Sequence, residues 1–322
     1  MALLRPARVV EDVSVVAVAA RDKARAAAFA GKFDIDRVYG SYEDVLADAD
    51  VDAVYNPLPN SHHKRWTIAA LRAGKHVLVE KPIAANADDA RDMADAARDC
   101  GKVLMEAFHW RYHPLTRRVL DELPRLGRLT RVQASMCVPF LKTQDIRFDY
   151  DLAGGALMDT GCYAVNMART FAGVAGADDD LVVDDVAALL TRRDRRVDRA
   201  LTARLHKRDG CVVVVSCSLL SSTLFAMRAQ IEGERGRIDV WNPVAPQFGH
   251  LLRMTIDGPS RKTTSMTTMV RGKSSYAHQL EAFRDAIVDG AAFPSSADDG
   301  VANMAVIDAL YAKAGLPRRQ SV

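Results

Sequence analysis

Lys81 stands between Glu80 and Pro82, directly after a short β-branched run, and Asp159 precedes Tyr163 by four residues. A tyrosine near pKa 10 is a poor base for a hydroxyl proton unless a neighbouring cation stabilises its phenolate. Lys81, at a strand end fixed by Pro82, is suited to supply that charge and to hydrogen-bond a reacting oxygen. Four-residue spacing puts Asp159 and Tyr163 on one face of a helix, where the carboxylate can take a substrate hydroxyl. The double glycine Gly154-Gly155 allows close approach of the backbone just before that helix. Each residue has a plainer alternative. Lys81 would be a solvated surface lysine, Tyr163 a half-buried helix aromatic, and Asp159 a first-turn acid favoured by the helix dipole.

Other chemistries find less support. His109 and His113 have the spacing of a metal pair, but Pro114 and the lack of a nearby carboxylate or thiol motif argue against a metal. Five cysteines, scattered and without any C-x-x-C, exclude a disulfide framework or zinc knuckle and point to a reducing cytoplasm. Arg192-Arg193-Asp194-Arg195-Arg196 has an acid inside it and no interleaved aromatics, which reads as a solvated hairpin tip and not a nucleic-acid site. The 322 residues carry 44 Lys and Arg against 41 Asp and Glu, a net +3, and 49% are hydrophobic. That balance describes a globular chain of about two domains without the basic stripe of a nucleic-acid binder. Apolar runs such as Val13–Ala20 fall well short of the ~18 residues of a membrane span, and Glu11 and Asp12 argue against a signal peptide.

Those candidates need elements to hold them. The first third alternates strand-like runs (Val13–Ala19, Asp52–Tyr55, His76–Val79, Val103–Ala107) with helical stretches near Lys23–Gly31, Lys64–Ala73 and Asp88–Asp99. This alternation predicts a parallel, doubly wound sheet. After about Arg111, strand-like runs follow one another: Leu129–Val138, Leu181–Leu190, Ala200–Leu205, Cys211–Leu219, Arg228–Glu232, Gly236–Trp241 and Leu252–Ile256. Helical segments near Tyr276–Asp289 and Ala297–Ala314 close the chain. The expected fold is α/β followed by α+β: a Rossmann-like domain over residues 1–110, then an α+β domain over residues 111–322 with a large, open, mostly antiparallel sheet.

The segment Asn56-Pro57-Leu58-Pro59-Asn60-Ser61-His62-His63, followed by Glu80-Lys81-Pro82, resembles the Gfo/Idh/MocA oxidoreductases, nearest their glucose–fructose oxidoreductase and dihydrodiol dehydrogenase branch. Met105–Arg111, Gly154–Tyr163, Tyr276–Gln279 and Val306–Ala309 add to the resemblance in order along the chain. The resemblance implies a nicotinamide cofactor and a sugar, cyclitol or vicinal diol as substrate, with Lys81, Tyr163 and Asp159 catalytic. It also implies a sheet face packed against another subunit, as in a homodimer or larger homo-oligomer. Many relatives carry His where Tyr163 stands. Leu58, Asn60 and His63 would line the cofactor crevice, Glu80 would orient Lys81 or touch the nicotinamide ribose, and His109 and Arg111 would face the cleft on the cofactor side. Arg21 follows a strand where an NAD-binding protein usually places an acid, so it could meet a 2′-phosphate. That favours NADP, with NAD still possible. Asp22, beside it, has helix capping as its plain alternative.

One departure stands out. Such folds hold a pyrophosphate on a G-x-G-x-x-G-like loop, yet none of the 19 glycines lie two positions apart. The opening Ala2–Arg8 looks like the later part of the helix that follows that loop. The expectation is therefore an N-terminally truncated domain lacking its first, central strand. Its sheet would either gape by a strand width or close up. The rival to an enzyme is a pseudoenzyme or sugar-binding protein of the same fold that has lost dinucleotide binding.

Overall fold

In the computed structural model, residues 2–142, 144–174, 181–257 and 263–322 are described. Strand and helix alternate through the first part: β1 (Ala17–Ala19), α1 (Lys23–Phe33), β2 (Arg37–Tyr39), α2 (Tyr42–Ala47), β3 (Ala53–Asn56), α3 (His63–Arg72), β4 (His76–Val79), α4 (Ala87–Asp99) and β5 (Leu104–Glu106). Three helices open on a side chain that accepts an orphan N–H. Asp22 caps α1 through the Arg25 amide, Ser41 caps α2 and Asn86 caps α4, at 3.0–3.1 Å.

All strand pairs here are parallel, but they form two separate sheets. One contains β1 and β2, the other β3, β4 and β5. Among the described residues no strand pairs with the second edge of β1 or of β3, so the two sheets do not close up into one. The β1 ladder is only three residues long, not Val13–Ala19, because its one neighbour β2 is itself three residues long. Leu3, Ala7, Val10 and Val13 pack with Leu78 and Met105 of the strands and with Leu280 and Phe283. The opening residues thus cover one face of the second sheet, where a helix was expected. β2 and α2, three and six residues long, show no periodicity in the sequence and were not foreseen.

The second part comprises α5 (Pro114–Glu122), β6 (Leu129–Cys137), α6 (Cys162–Ala172), β7 (Val182–Leu190), β8 (Asp198–His206), β9 (Val212–Ser218), β10 (Ala226–Gly233), β11 (Gly236–Trp241), β12 (Leu251–Asp257), β13 (Thr263–Thr268), α7 (Ser275–Val288) and α8 (Ala297–Lys313). Eight strands form one sheet in the order β13-β12-β11-β10-β6-β9-β8-β7, antiparallel except for β6 with β9. Period-2 burial decides its faces. Val132, Val213 and Leu205 align across three strands, as do Ala134, Val215 and Ala203, and all are buried in one core with Met167, Ala168 and Phe171 of α6. The opposite face shows Gln133, Ser135, Thr202, Arg204, Val214 and Gln230, none of them buried. Between β7 and β8, Asp194 closes the arginine-rich turn with Thr191 and Arg196, and Arg192, Arg193 and Arg195 are exposed. Among the described residues no helix is long and apolar enough to cross a membrane.

Candidate active site

Lys81 lies just beyond the C-terminal end of β4, on the side of a parallel sheet where ligands usually bind. Its Nζ donates to the Asp159 Oδ1 at 2.9 Å and to the Asp159 carbonyl at 2.8 Å. Its side chain is only 15% exposed, so the ion pair is largely shielded from water. The second carboxylate oxygen, Asp159 Oδ2, accepts from Arg147 Nε at 2.9 Å, and Arg147 also pairs with Asp145. Burial favours the neutral acid, but Lys81 and Arg147 outweigh it and hold Asp159 below the usual carboxylate range. Burial likewise opposes the Lys81 charge, and Asp159 leads the groups that override it, raising its pKa. An ammonium has three hydrogens. Two serve Asp159, which leaves one for a substrate oxygen.

Asp159 and Tyr163 do share a side of their helix, though not through a regular α-turn. Residues Leu157–Gly161 form a wider π-turn that runs into α6. The preceding double glycine is required by packing. Gly155 has φ +139°, and a Cβ there would lie 2.3 Å from Asp198 Oδ1 and 2.7 Å from the Tyr311 hydroxyl. Asp198 in turn accepts from the Leu157 amide at 2.7 Å, tying the turn to β8.

Tyr163 is nearly buried, edge-on to Phe108, with Lys81 Nζ 5.0 Å from its ring centroid. Its hydroxyl lies 3.3 Å from His109 Nε2. Burial pushes the phenol well above its ordinary pKa, with Glu80 and Tyr276 adding to the shift. Lys81 stands over the ring face and is already paired with Asp159. Burial thus favours the phenol over the phenolate that Lys81 is expected to stabilise.

The remaining candidates divide. Glu80 accepts the Tyr55 hydroxyl at 2.6 Å and the Lys81 amide at 3.2 Å, so it orients Lys81 from the strand side. Asn60 donates to the Ala153 carbonyl at 3.0 Å, linking the loop after β3 to the glycine turn. Leu58 offers its carbonyl to His63 Nε2 at 2.7 Å, while His63 Nδ1 meets the Pro82 carbonyl at 2.9 Å. His63 is thus fully buried with both ring nitrogens engaged; it braces the Lys81–Pro82 turn and does not reach the crevice. Arg111 also turns inward, where Asp299 on α8 holds it at 2.6 Å. Its charge is matched inside the protein and not presented to a cofactor. His109 is buried against Tyr163 and stacked on Tyr276 with centroids 3.9 Å apart, on the proton side of the site. Arg21 is exposed just beyond β1. Arg147 had no signal in the sequence, because it sits in an aperiodic loop twelve residues from the acid it grips. Among the described residues no cluster could hold a metal ion.

A nicotinamide cofactor fits one half of this crevice. Lys81, Glu80 with Tyr55, and Asn60 stand at the strand ends where a nicotinamide and its ribose would need polar partners. Among the described residues no glycine loop feeds a helix N-terminus between β1 and β3.

Comparison with known proteins places these observations. Residues 3–108 match the model of an oxidoreductase family with an NAD-binding Rossmann fold, and residues 117–239 match the GFO/IDH/MocA C-terminal domain. The chain is 37% identical over 315 residues to D-xylose 1-dehydrogenase (NADP(+)) 2 of Haloferax volcanii, covering 96% of this chain and 92% of that one. It is 32% identical over 231 residues to trans-1,2-dihydrobenzene-1,2-diol dehydrogenase of Sus scrofa, covering 71% and 66%. Its structure resembles a 3-ketoreductase from Actinomadura kijaniata in complex with NADP and TDP-benzene, with a TM-score of 0.85 at 29% identity, over 96% of this chain and 92% of that one.

Proposed function

The chain belongs to the Gfo/Idh/MocA oxidoreductases, and from that premise we propose that it interconverts a carbinol and a carbonyl on a sugar, cyclitol or vicinal diol with NADP, or with NAD as second choice. Residues 1–110 serve the cofactor, and residues 111–322 serve the substrate and assembly. The observation that carries this reading is the convergence of Lys81, Asp159 and Tyr163, from β4 and from the start of α6, on one shielded spot. A bound nicotinamide accepts or supplies the hydride. Lys81 directs its third N–H at the reacting oxygen, polarising a carbonyl or holding a hydroxyl. Tyr163 exchanges the hydroxyl proton with the reacting oxygen. Asp159 keeps Lys81 charged and aimed. Glu80 fixes the Lys81 backbone, Asn60 and Leu58 shape the loop beside it, and Arg21 stands where a 2′-phosphate would approach.

The relatives named above act on a sugar and on a cyclic diol, which supports a polyhydroxylated substrate. The rival is a sugar-binding protein of the same fold that has lost dinucleotide binding. Titration with NADPH and NADH, followed by nicotinamide fluorescence, separates the two. Saturable enhancement, stronger for NADPH, supports the oxidoreductase, and a flat response supports the rival. We further infer a homodimer or larger homo-oligomer that joins the open face of the eight-stranded sheet, working in the reducing cytoplasm. Light scattering that returned a monomer mass at micromolar concentration would sink the assembly.

A further inference from the structure

A hydrogen-bonded chain runs away from the Tyr163 hydroxyl, and its polarity is fixed at the far end. The Ser275 backbone N–H, which can only donate, faces the Gln247 side chain at 3.4 Å, so the atom it meets is the amide oxygen Oε1. The Ser275 hydroxyl lies 3.0 Å from that same oxygen and must donate to it. Ser275 Oγ therefore accepts from His109 Nδ1, 2.8 Å away, which puts the imidazole proton on Nδ1. Burial, with Lys81 close by, lowers His109 to about 3, so the ring is neutral and Nε2 bears a lone pair. Nε2 can then only accept, and the Tyr163 hydroxyl 3.3 Å away donates to it. Stacking on Tyr276 holds the ring in place.

We propose that His109, held by Ser275 and Gln247, is a positioning residue that turns the Tyr163 proton away from the substrate and so makes the resting site take the alcohol form of its substrate in preference to the carbonyl form. This rests on the oxidoreductase reading above. With its proton directed at His109, Tyr163 presents only lone pairs to the cleft. An alcohol can accept from Lys81 and donate to those lone pairs. A ketone can accept from Lys81 but has nothing to give Tyr163, which leaves a buried acceptor facing an acceptor unless the bond to His109 breaks. The reaction equilibrium is unaffected; the relative affinity of the two forms is what the chain sets.

The tautomer is measured on the whole protein without cofactor or substrate, by nitrogen-15 NMR of the histidine rings. The expected result is His109 neutral near pH 7, with Nδ1 protonated and Nε2 unprotonated. Protonation at Nε2 overturns the proposal even if sugar oxidation is found. The Ser275→Ala variant, which should remain folded because only a hydroxyl is lost, is expected to drain population into the Nε2–H form; an unchanged tautomer overturns it. Glycerol and dihydroxyacetone, an alcohol and its ketone, are the binding probes. The wild type is expected to favour glycerol by about fivefold or more, the worth of one neutral hydrogen bond, and Ser275→Ala to lose that preference. Equal binding, or a preference untouched in the variant, counts against the chain. A flat nicotinamide titration alongside an Nδ1–H tautomer would remove the oxidoreductase reading and leave the hydrogen-bonded chain standing.

Discussion

Lys81 has no duplicate within the site. Arg147 is tied to Asp159 on the far side of the carboxylate and cannot swing into its place without breaking two ion pairs. Lys81→Ala is expected to leave the fold intact and lower turnover ~10²-fold or more, as steady-state kinetics beside a circular dichroism spectrum would show. Wild-type-like turnover would remove the mechanism. A second residue concerns stability. Glu106 is fully buried: its Oε1 accepts the Ile83 amide at 2.8 Å, and its Oε2 has no hydrogen-bond partner among the described residues. Burial, with Asp299 adding to it, pushes the acid up to about 8. An unfolded glutamate titrates near ~4.3, so between that pH and about 8 the folded protein keeps a proton that the unfolded chain releases. Stability should therefore fall as pH rises through this window, by up to about 1.4 kcal/mol per unit from this residue. Melting curves at pH 5 and pH 8 are expected to show the wild type losing ground to Glu106→Gln, with the gap widest at pH 8. Parallel curves would mean that Glu106 is already ionised. Lys81, Asp159 and Tyr163 were legible in the sequence because local context marks them. The inward turn of Arg111 and the capture of His63 were not, because the Arg111 partner lies on α8 and one of the two His63 partners on the turn after β4, contacts that spacing does not encode.

Among the elements, long strands were the most legible. Alternation over seven to nine residues in β6, β8 and β9 matches one buried face and leaves little freedom of register. β13, with four threonines in six residues, offers no such alternation and is held chiefly by pairing with β12. The parallel half was legible in outline only, since its strands of three or four residues depend on neighbours for their limits. The turn into α6 is the element on which the site hangs. A methyl group at Gly155 would collide with Asp198, Tyr311 and Arg319 while forcing a side chain into a positive-φ backbone. Gly155→Ala is expected to cost on the order of 3 kcal/mol in urea unfolding and to depress turnover further by displacing Asp159. A cost below about 1 kcal/mol would mean that the turn can relax, and the rigidity ascribed to it would be wrong.

The two halves of the molecule are joined by more than the cleft between them. α8 packs on both α4 and α6, and the segment that follows it returns to the site. There Arg319, fully buried, donates from Nε to the Gly154 carbonyl at 2.7 Å and from Nη2 to Asp198 Oδ1 at 3.1 Å. Its carbonyl accepts from Asn86, Ser321 donates to Asp89, and the Val322 amide donates to the Ser61 carbonyl, all three partners in the first part of the chain. One strap thus grips the glycine turn on one side and the α3 and α4 starts on the other. Nothing in residues 317–322 announces this, because Pro-Arg-Arg-Gln-Ser-Val reads as an ordinary polar tail, and Gly154, Asp198, Asn86, Asp89 and Ser61 all lie over 100 residues away. Removing the guanidinium would leave the Asp198 carboxylate buried with, among the described residues, the Tyr311 hydroxyl and the Leu157 amide to satisfy it. A buried ion pair broken on one side typically costs about 3–5 kcal/mol. Arg319→Leu is therefore expected to lower the unfolding free energy measured in urea by that amount. The transition should remain single, because α8 still bridges both halves. If the strap also sets the cleft, NADPH titration of the same variant should show weaker binding. A destabilisation under about 1 kcal/mol would show that Asp198 finds water or another donor, and the tail would then be a passenger on the fold.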